Sequence, residues 1–86
     1  MKQKRIVYKN KPIYLPFAGA DYGDEPLKEI EVANRFNGQS TKLPAFAVAV
    51  YDVIMGSEML QQWSDHRKGL DWFIKYFPKQ YMVLLD

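Results

Sequence analysis

Three features that often carry chemistry are absent or scarce in this chain: cysteine, histidine and glycine-rich loops. It has no cysteine and one histidine, and its five glycines stand far apart, at positions 19, 23, 38, 56 and 69. Without cysteine the protein forms no disulfide, no thiolate nucleophile and no cysteine-ligated zinc site. The glycine spacing matches neither a P-loop nor a dinucleotide-binding fingerprint, so nucleotide binding has no support in the sequence.

The single histidine does not suggest an active site. His66 is preceded by Asp65, and consecutive residues of a helix point in different directions, so the two cannot form a catalytic triad. The acidic segment 21–25 departs from the calcium-loop pattern, and one histidine with scattered acids lacks a recognisable ligand spacing. We therefore expect no catalytic residue, no metal site and no cofactor.

Long apolar runs are also missing. No stretch comes near the roughly 20 apolar residues that span a bilayer. Residues 1–11 carry charge throughout and do not have the basic start and apolar run of a signal peptide. We therefore expect a cytoplasmic protein that does not enter a membrane.

The composition is that of one small folded domain. The chain has 86 residues, of which 48% are hydrophobic and 15% aromatic, and a chain of this length folds around a single core. We expect one domain over 1–86. Its parts are a basic hairpin and loop (1–27), a hairpin closed by Asn-Gly (28–43) and a helical part (43–86).

The first eleven residues contain cations and no acid. Arg5 to Tyr8 and Pro12 to Leu15 are rich in strand-forming residues, which predicts a hairpin, and the segment 17–27 is punctuated by glycine and proline as in a loop. A basic two-stranded ribbon that also carries tyrosines could follow phosphates and stack on bases. The candidate nucleic-acid-binding residues are Lys2, Lys4, Arg5, Lys9 and Lys11.

A second hairpin is predicted around Asn37-Gly38, since both residues tolerate the positive φ angles of a type I′ turn. The alternating pattern from position 29 supports it. Counting back from a two-residue turn pairs Phe36 with Gln39, Asn34 with Thr41, Val32 with Leu43, Arg35 with Ser40 and Ala33 with Lys42.

Three helices follow in the predicted order. The first runs from about Leu43 to Gln61 with Pro44 in its first turn, the second from Ser64 or Asp65 to Phe77, and a short third from Lys79 to Leu85. The predicted fold class is α+β: a small antiparallel sheet of two β-hairpins packed on two main helices and a short C-terminal helix.

The first helix carries one charge in its first three turns, Asp52, so we expect the helix to be covered on most sides and the carboxylate to need a partner. Either the protein's own C-terminal helix supplies that partner, through Arg67, Lys68 or Tyr76, or a second protein does. Small residues share the stripe of Asp52, and Trp63, Trp72 and Tyr76 are expected beside the core as either interface or ordinary rim residues. The candidate protein-binding residues are Ala45, Ala49, Asp52, Gly56, Trp63, Trp72 and Tyr76.

Four strings in the chain carry a resemblance: NRFNGQS at 34–40, AVYDVIMG at 49–56, RKGLDWF at 67–73 and YMVLLD at 81–86. Over residues 30–86 the chain resembles small uncharacterised proteins of tailed phages that infect marine bacteria, the cyanophages and their relatives. The resemblance implies an accessory protein in the cytoplasm of an infected bacterium or, as a second option, a minor virion component. It implies no catalytic or binding residue.

The sequence thus predicts a non-enzymatic protein that binds another protein, with self-association as one form of that activity. Binding of nucleic acid through the basic N-terminal hairpin is the alternative. The first prediction depends on an excess of apolar side chains between positions 43 and 77 over what an 86-residue fold can bury by itself.

Overall fold

The computed structural model describes residues 5–17, 22–34 and 36–85. These residues form two antiparallel hairpins and three helices, which confirms the predicted α+β class, and each hairpin is a two-stranded sheet of its own. In chain order the elements are β1 (Arg5–Tyr8), β2 (Lys11–Tyr14), β3 (Glu29–Ala33), β4 (Ser40–Pro44), α1 (Ala45–Met59), α2 (Trp63–Tyr76) and α3 (Pro78–Leu84).

The first hairpin is closed by a tight two-residue turn. Tyr8 pairs with Lys11, and Lys9 and Asn10 between them both have positive φ, 49° and 64°. Two positive φ angles are the signature of a type I′ turn, which matches the twist of the strands. The predicted hairpin is confirmed, with its second strand starting one residue earlier than expected.

The second hairpin exists, but its predicted register is wrong by two residues. Val32 pairs with Thr41, not Leu43, and Ala33 pairs with Ser40, not Lys42. The predicted pairing of Arg35 with Ser40 involves Arg35, which lies outside the described residues. A shift of two keeps every side chain on its expected face.

The reason for the shift is the side chain of Asn34. Its Oδ1 accepts a hydrogen bond from the Phe36 amide at 2.8 Å, and its backbone amide donates to the Gln39 carbonyl at 2.7 Å. The chain therefore reverses between Asn34 and Gln39. Of Asn37 and Gly38, Gly38 alone has positive φ, so they do not form the predicted type I′ turn. An Asx-turn at Asn34 replaces it.

Helix α1 is shorter than predicted at both ends. Pro44 is its N-cap with extended backbone, and the amides of Ala45 and Phe46 donate to the carbonyls of Lys28 and Pro26. The loop before β3 therefore satisfies donors that a side-chain cap would otherwise serve. At the other end, the Gln62 amide donates to the Ser57 backbone carbonyl and the Gln61 amide to the Glu58 backbone carbonyl. These two bonds form a Schellman motif.

Helix α2 begins at Trp63, and its N-cap is Gln62, so the predicted N-cap role of Ser64 or Asp65 is wrong. It packs against α1, and the close approach occurs at Gly69, where an added Cβ would run into the buried Ile54 side chain. The predicted third helix is confirmed, but it begins at Pro78 and ends at Leu84, one residue earlier at each end than predicted, and it packs on α2 and β4.

The core is built around aromatic rings from three parts of the chain. Phe46 of α1 lies 5.6 Å from Tyr8 and 6.2 Å from Trp72 between ring centroids, in edge-to-face geometry. Phe73 and Phe77 complete the cluster, with 6.1 Å between their ring centroids. Edge-to-face contacts at these distances add to the burial of the rings themselves. Tyr8, whose ring centroid also lies 5.9 Å from that of Phe77, thereby fixes the first hairpin against α1 and the residue that follows α2.

None of the helices in the described part of the chain combines the length and the apolar character needed to cross a lipid bilayer.

Candidate functional site

The predicted stripe on α1 has one exposed and three half-buried members. Asp52 is exposed, so the prediction that its carboxylate is buried and needs a partner is wrong. The helix buries an arc of about half its circumference, and Asp52 lies opposite that arc. Ala45, Ala49 and Gly56 are half-buried, and beyond Gly56 nothing lies within contact distance of an added Cβ.

Of the predicted rim aromatics, Trp72 and Tyr76 are in ring contact, with 5.5 Å between their centroids, whereas Trp63 lies at the other end of α2. Trp72 is 6% exposed and its Nε1 donates to the Tyr14 carbonyl at 2.8 Å, so its expected place at the rim is wrong. The first hairpin lies on this flank of α2 and covers the ring. Tyr76 is half-buried at the end of α2, while Trp63 is exposed at the start of the same helix.

Three large apolar side chains are exposed at the connection between α1 and α2. Met59 is 83%, Leu60 70% and Trp63 58% exposed, and they lie within five consecutive positions. We call these three residues the turn patch. An exposed apolar patch of a few hundred Å² is the size of the largest patch on a typical monomer, and such a patch is often a functional contact surface.

The backbone of the turn patch is tightly held. Gln61 has a φ of +57°, the left-handed conformation that glycine usually adopts at this position of a Schellman motif. The Trp63 ring contacts the His66 ring edge-on, with 5.6 Å between centroids. The Nδ1 atom of His66 is buried without a hydrogen-bond partner among the described residues. The patch is therefore a defined surface and not a frayed helix end.

A second candidate surface is a cleft between the first hairpin and the junction of α2 and α3. It has a volume of about 690 Å³, four of its lining residues are lysines, and none is acidic. Lys9 and Lys11 come from the hairpin, and Lys75 and Lys79 from the helices. The rings of Tyr8 and Tyr76 also line it. We call this site the basic cleft.

Two of the lysines lie over tyrosine rings. Lys9 Nζ is 5.3 Å from the centroid of the Tyr8 ring, and Lys75 Nζ is 5.1 Å from that of Tyr76. A second, smaller cleft of about 280 Å³ shares Lys75 and Tyr76 with the first and extends to Lys68. The two clefts therefore form one track along α2, with Asp71 in the wall of the smaller one.

Two of the four lysines of the basic cleft were predicted from the sequence as binding residues. Lys9 and Lys11 were candidates, and Arg5 is exposed on the same hairpin, while Lys2 and Lys4 lie outside the described residues. Lys75 and Lys79 were missed because they belong to the helical part. A sequence signal for them exists in hindsight: both flank the apolar Phe77-Pro78 break, four positions apart. These two lysines form part of a site only because the first hairpin packs beside them.

Burial raises the pKa of the Tyr22 hydroxyl above its ordinary value, and its hydrogen bonding to the Phe17 backbone opposes that rise in part. The hydroxyl donates to the Phe17 carbonyl at 2.9 Å, which joins Tyr22 to the end of the segment 5–17. In the described part of the chain no three histidine or acidic side chains come together as a metal site would require.

Comparison of the chain with protein families, with curated proteins and with solved structures gives no match.

Proposed function

We propose that this protein acts by binding another protein through the turn patch of Met59, Leu60 and Trp63, and that it has no enzymatic activity. The observation that supports the proposal is the exposure of these three side chains. Tryptophan and methionine are enriched at protein interfaces, and removing a buried tryptophan from an interface is among the costliest substitutions.

The surroundings of the patch resemble the rim of an interface. Gln61, Gln62 and Ser64 are exposed and uncharged, and no lysine or arginine occurs between positions 53 and 66. Charged residues are depleted at interface centres because their desolvation opposes association. The nearby charges are the exposed acids Glu58 and Asp65, so an apolar partner surface must leave both carboxylates at the hydrated rim.

A second copy of the chain is the first partner to consider. Two identical patches can face each other across a two-fold axis, and such isologous pairing is the commonest form of self-association. Three side chains expose a few hundred Å², whereas each side of a standard interface buries about 800 Å². We therefore expect weak self-association, with a dissociation constant in the micromolar range or above.

The decisive experiment is sedimentation velocity over a micromolar to millimolar concentration series. The wild type should show a rising average mass, and Leu60→Glu should remain monomeric, because a carboxylate at the centre of the patch would lose its hydration on pairing. Met82→Glu is the matched control, since Met82 is also exposed but lies on α3. It should behave as the wild type.

A photo-crosslinking residue at position 59 tests for a different partner protein in bacterial lysate. The proteins that it captures are compared with those captured by the same residue at position 82. Capture that is specific to position 59 would support a different protein as the partner. If the wild type stays monomeric and position 59 captures no more than position 82, the proposal fails.

The biological setting of this activity comes from the resemblance alone. On that basis we assign the protein to the accessory proteins that act in the cytoplasm of an infected bacterium. The proposed contact surface differs from the predicted one. The two share Trp63, whereas Met59 and Leu60 were not among the predicted residues.

A further inference from the structure

We propose that the basic cleft binds single-stranded nucleic acid, with the lysines on the phosphates and the tyrosine rings against bases. This activity is separate from protein binding at the turn patch and uses other residues. The cleft brings Lys9 and Lys11 of the first hairpin opposite Lys75 and Lys79 of the helices, and its lining contains no acid. Positive charge is thus concentrated on two facing walls.

The charge cluster is local and not a property of the whole protein. The formal net charge of the chain is only +2, whereas the four lysines of the cleft carry +4 with no carboxylate among the lining residues. A concave surface of one sign of charge focuses its field and raises the local concentration of counter-charged ligands. The cleft therefore favours an anion over any neutral ligand.

Two lysines of the cleft contact tyrosine rings, and a phosphate can replace these contacts. Lys9 and Lys75 lie over tyrosine rings, and a cation–π contact at an exposed site is weaker than a charge-assisted hydrogen bond to a phosphate oxygen. When a phosphate draws the ammonium group away, the ring face becomes free. A base can then stack on it, and because every base has a π-face, such stacking is tolerant of sequence.

The shape of the site favours a single strand over a duplex or an isolated phosphate. A duplex presents a broad convex surface, whereas this site is a cleft between a hairpin and a helix junction, and its track continues along α2 to Lys68. An isolated phosphate would leave the rings and most of the track unused. A flexible strand can place successive phosphates and bases along it.

The test uses the full chain and a fluorescent twelve-nucleotide oligothymidylate, with binding followed by anisotropy at several salt concentrations. Four lysine–phosphate contacts predict a slope of about −2.8 for log K against log salt, from roughly −0.7 per contact on a single strand. The double variant Lys75→Glu/Lys79→Glu should bind at least about tenfold more weakly and with a shallower slope.

Two further variants separate the sources of affinity. Lys42→Glu changes the charge of an exposed lysine on β4, outside the cleft, and should weaken binding less than about threefold because salt screens distant charges. Tyr76→Leu should weaken binding by about fivefold or more with an unchanged salt slope, since stacking releases no counterions. Circular dichroism and thermal unfolding establish that each variant is folded.

Several results would overturn the proposal: no anisotropy change at low salt, equal weakening by Lys42→Glu, or a duplex of the same length bound as tightly as the single strand. Competition by inorganic tripolyphosphate as effective as that by oligothymidylate, at equal phosphate concentration, would also overturn it and assign the cleft to free polyphosphate.

Discussion

Two glycines in helices show that the same residue type can have opposite roles. Gly56 of α1 borders open space, whereas an added Cβ at Gly69 of α2 would collide with the Ile54 side chain, which is fully buried. Neither has a positive φ. Alanine therefore suits the backbone at both positions, and the space around the new methyl group decides its effect.

We predict that Gly56→Ala raises the free energy of unfolding by up to about 1 kcal/mol, because alanine favours helices over glycine by that amount. Gly69→Ala should lower it by about 1 kcal/mol, since an overpacking cost of roughly 1–3 kcal/mol exceeds the same helical gain. Urea denaturation of both variants measures the difference. Equal stabilisation by the two substitutions would show that α1 and α2 are not in close contact at Gly69.

Among the elements, the second hairpin and α3 are joined through one side chain. Asn34 is buried, its Nδ2 donates to the Val83 carbonyl at 2.8 Å, and its Oδ1 accepts from the Phe36 amide. The same residue therefore closes the turn and holds the C-terminal helix. A buried amide can do both only because it carries a donor and an acceptor.

We predict that Asn34→Ala lowers the free energy of unfolding by about 1–3 kcal/mol, because the Val83 carbonyl and the Phe36 amide lose their partners. Asn34→Asp keeps the acceptor but loses the donor, so it should be destabilising as well. Asn37→Ala is the control: the bond from the Gln39 amide to Asn37 Oδ1 is exposed, and its loss should cost less than about 0.5 kcal/mol. A similar loss at Asn37 and Asn34 would contradict this account.

In the whole molecule, the turn patch and the basic cleft lie at opposite ends of α2. Trp63 is the first and Tyr76 the last residue of this 14-residue helix, which separates them by about 20 Å along the axis. That distance exceeds the Debye length of about 10 Å at moderate salt. The two surfaces share no side chain, so one molecule can use both at once.

We therefore predict that the two activities are independent. Leu60→Glu should leave oligothymidylate affinity within about twofold, and combining it with Lys75→Glu/Lys79→Glu should give effects that add within about 0.5 kcal/mol. Anisotropy titrations of the single and combined variants measure this. An affinity that rises steeply with protein concentration in the wild type, and is lost in Leu60→Glu, would instead show that pairing and strand binding are coupled.

Local patterns determined the elements of this protein. Turn residues, strand-forming residues and apolar periodicity were enough to place two hairpins and three helices, because these signals act between neighbours in the chain. The register of the second hairpin was not predictable in this way. It follows from the Asx-turn at Asn34, whose side chain also donates to the Val83 carbonyl 49 positions away, and a count from the Asn-Gly pair does not show that turn.

The candidate surfaces were decided by the tertiary structure. Composition and periodicity could not tell that Asp52 faces solvent or that Trp72 is covered, since burial depends on which element docks on each helix face. The first hairpin covers Trp72, brings Lys9 and Lys11 to Lys75 and Lys79, and leaves the far end of α2 with Trp63 uncovered. Charges and rings distant in sequence become one site only through such docking.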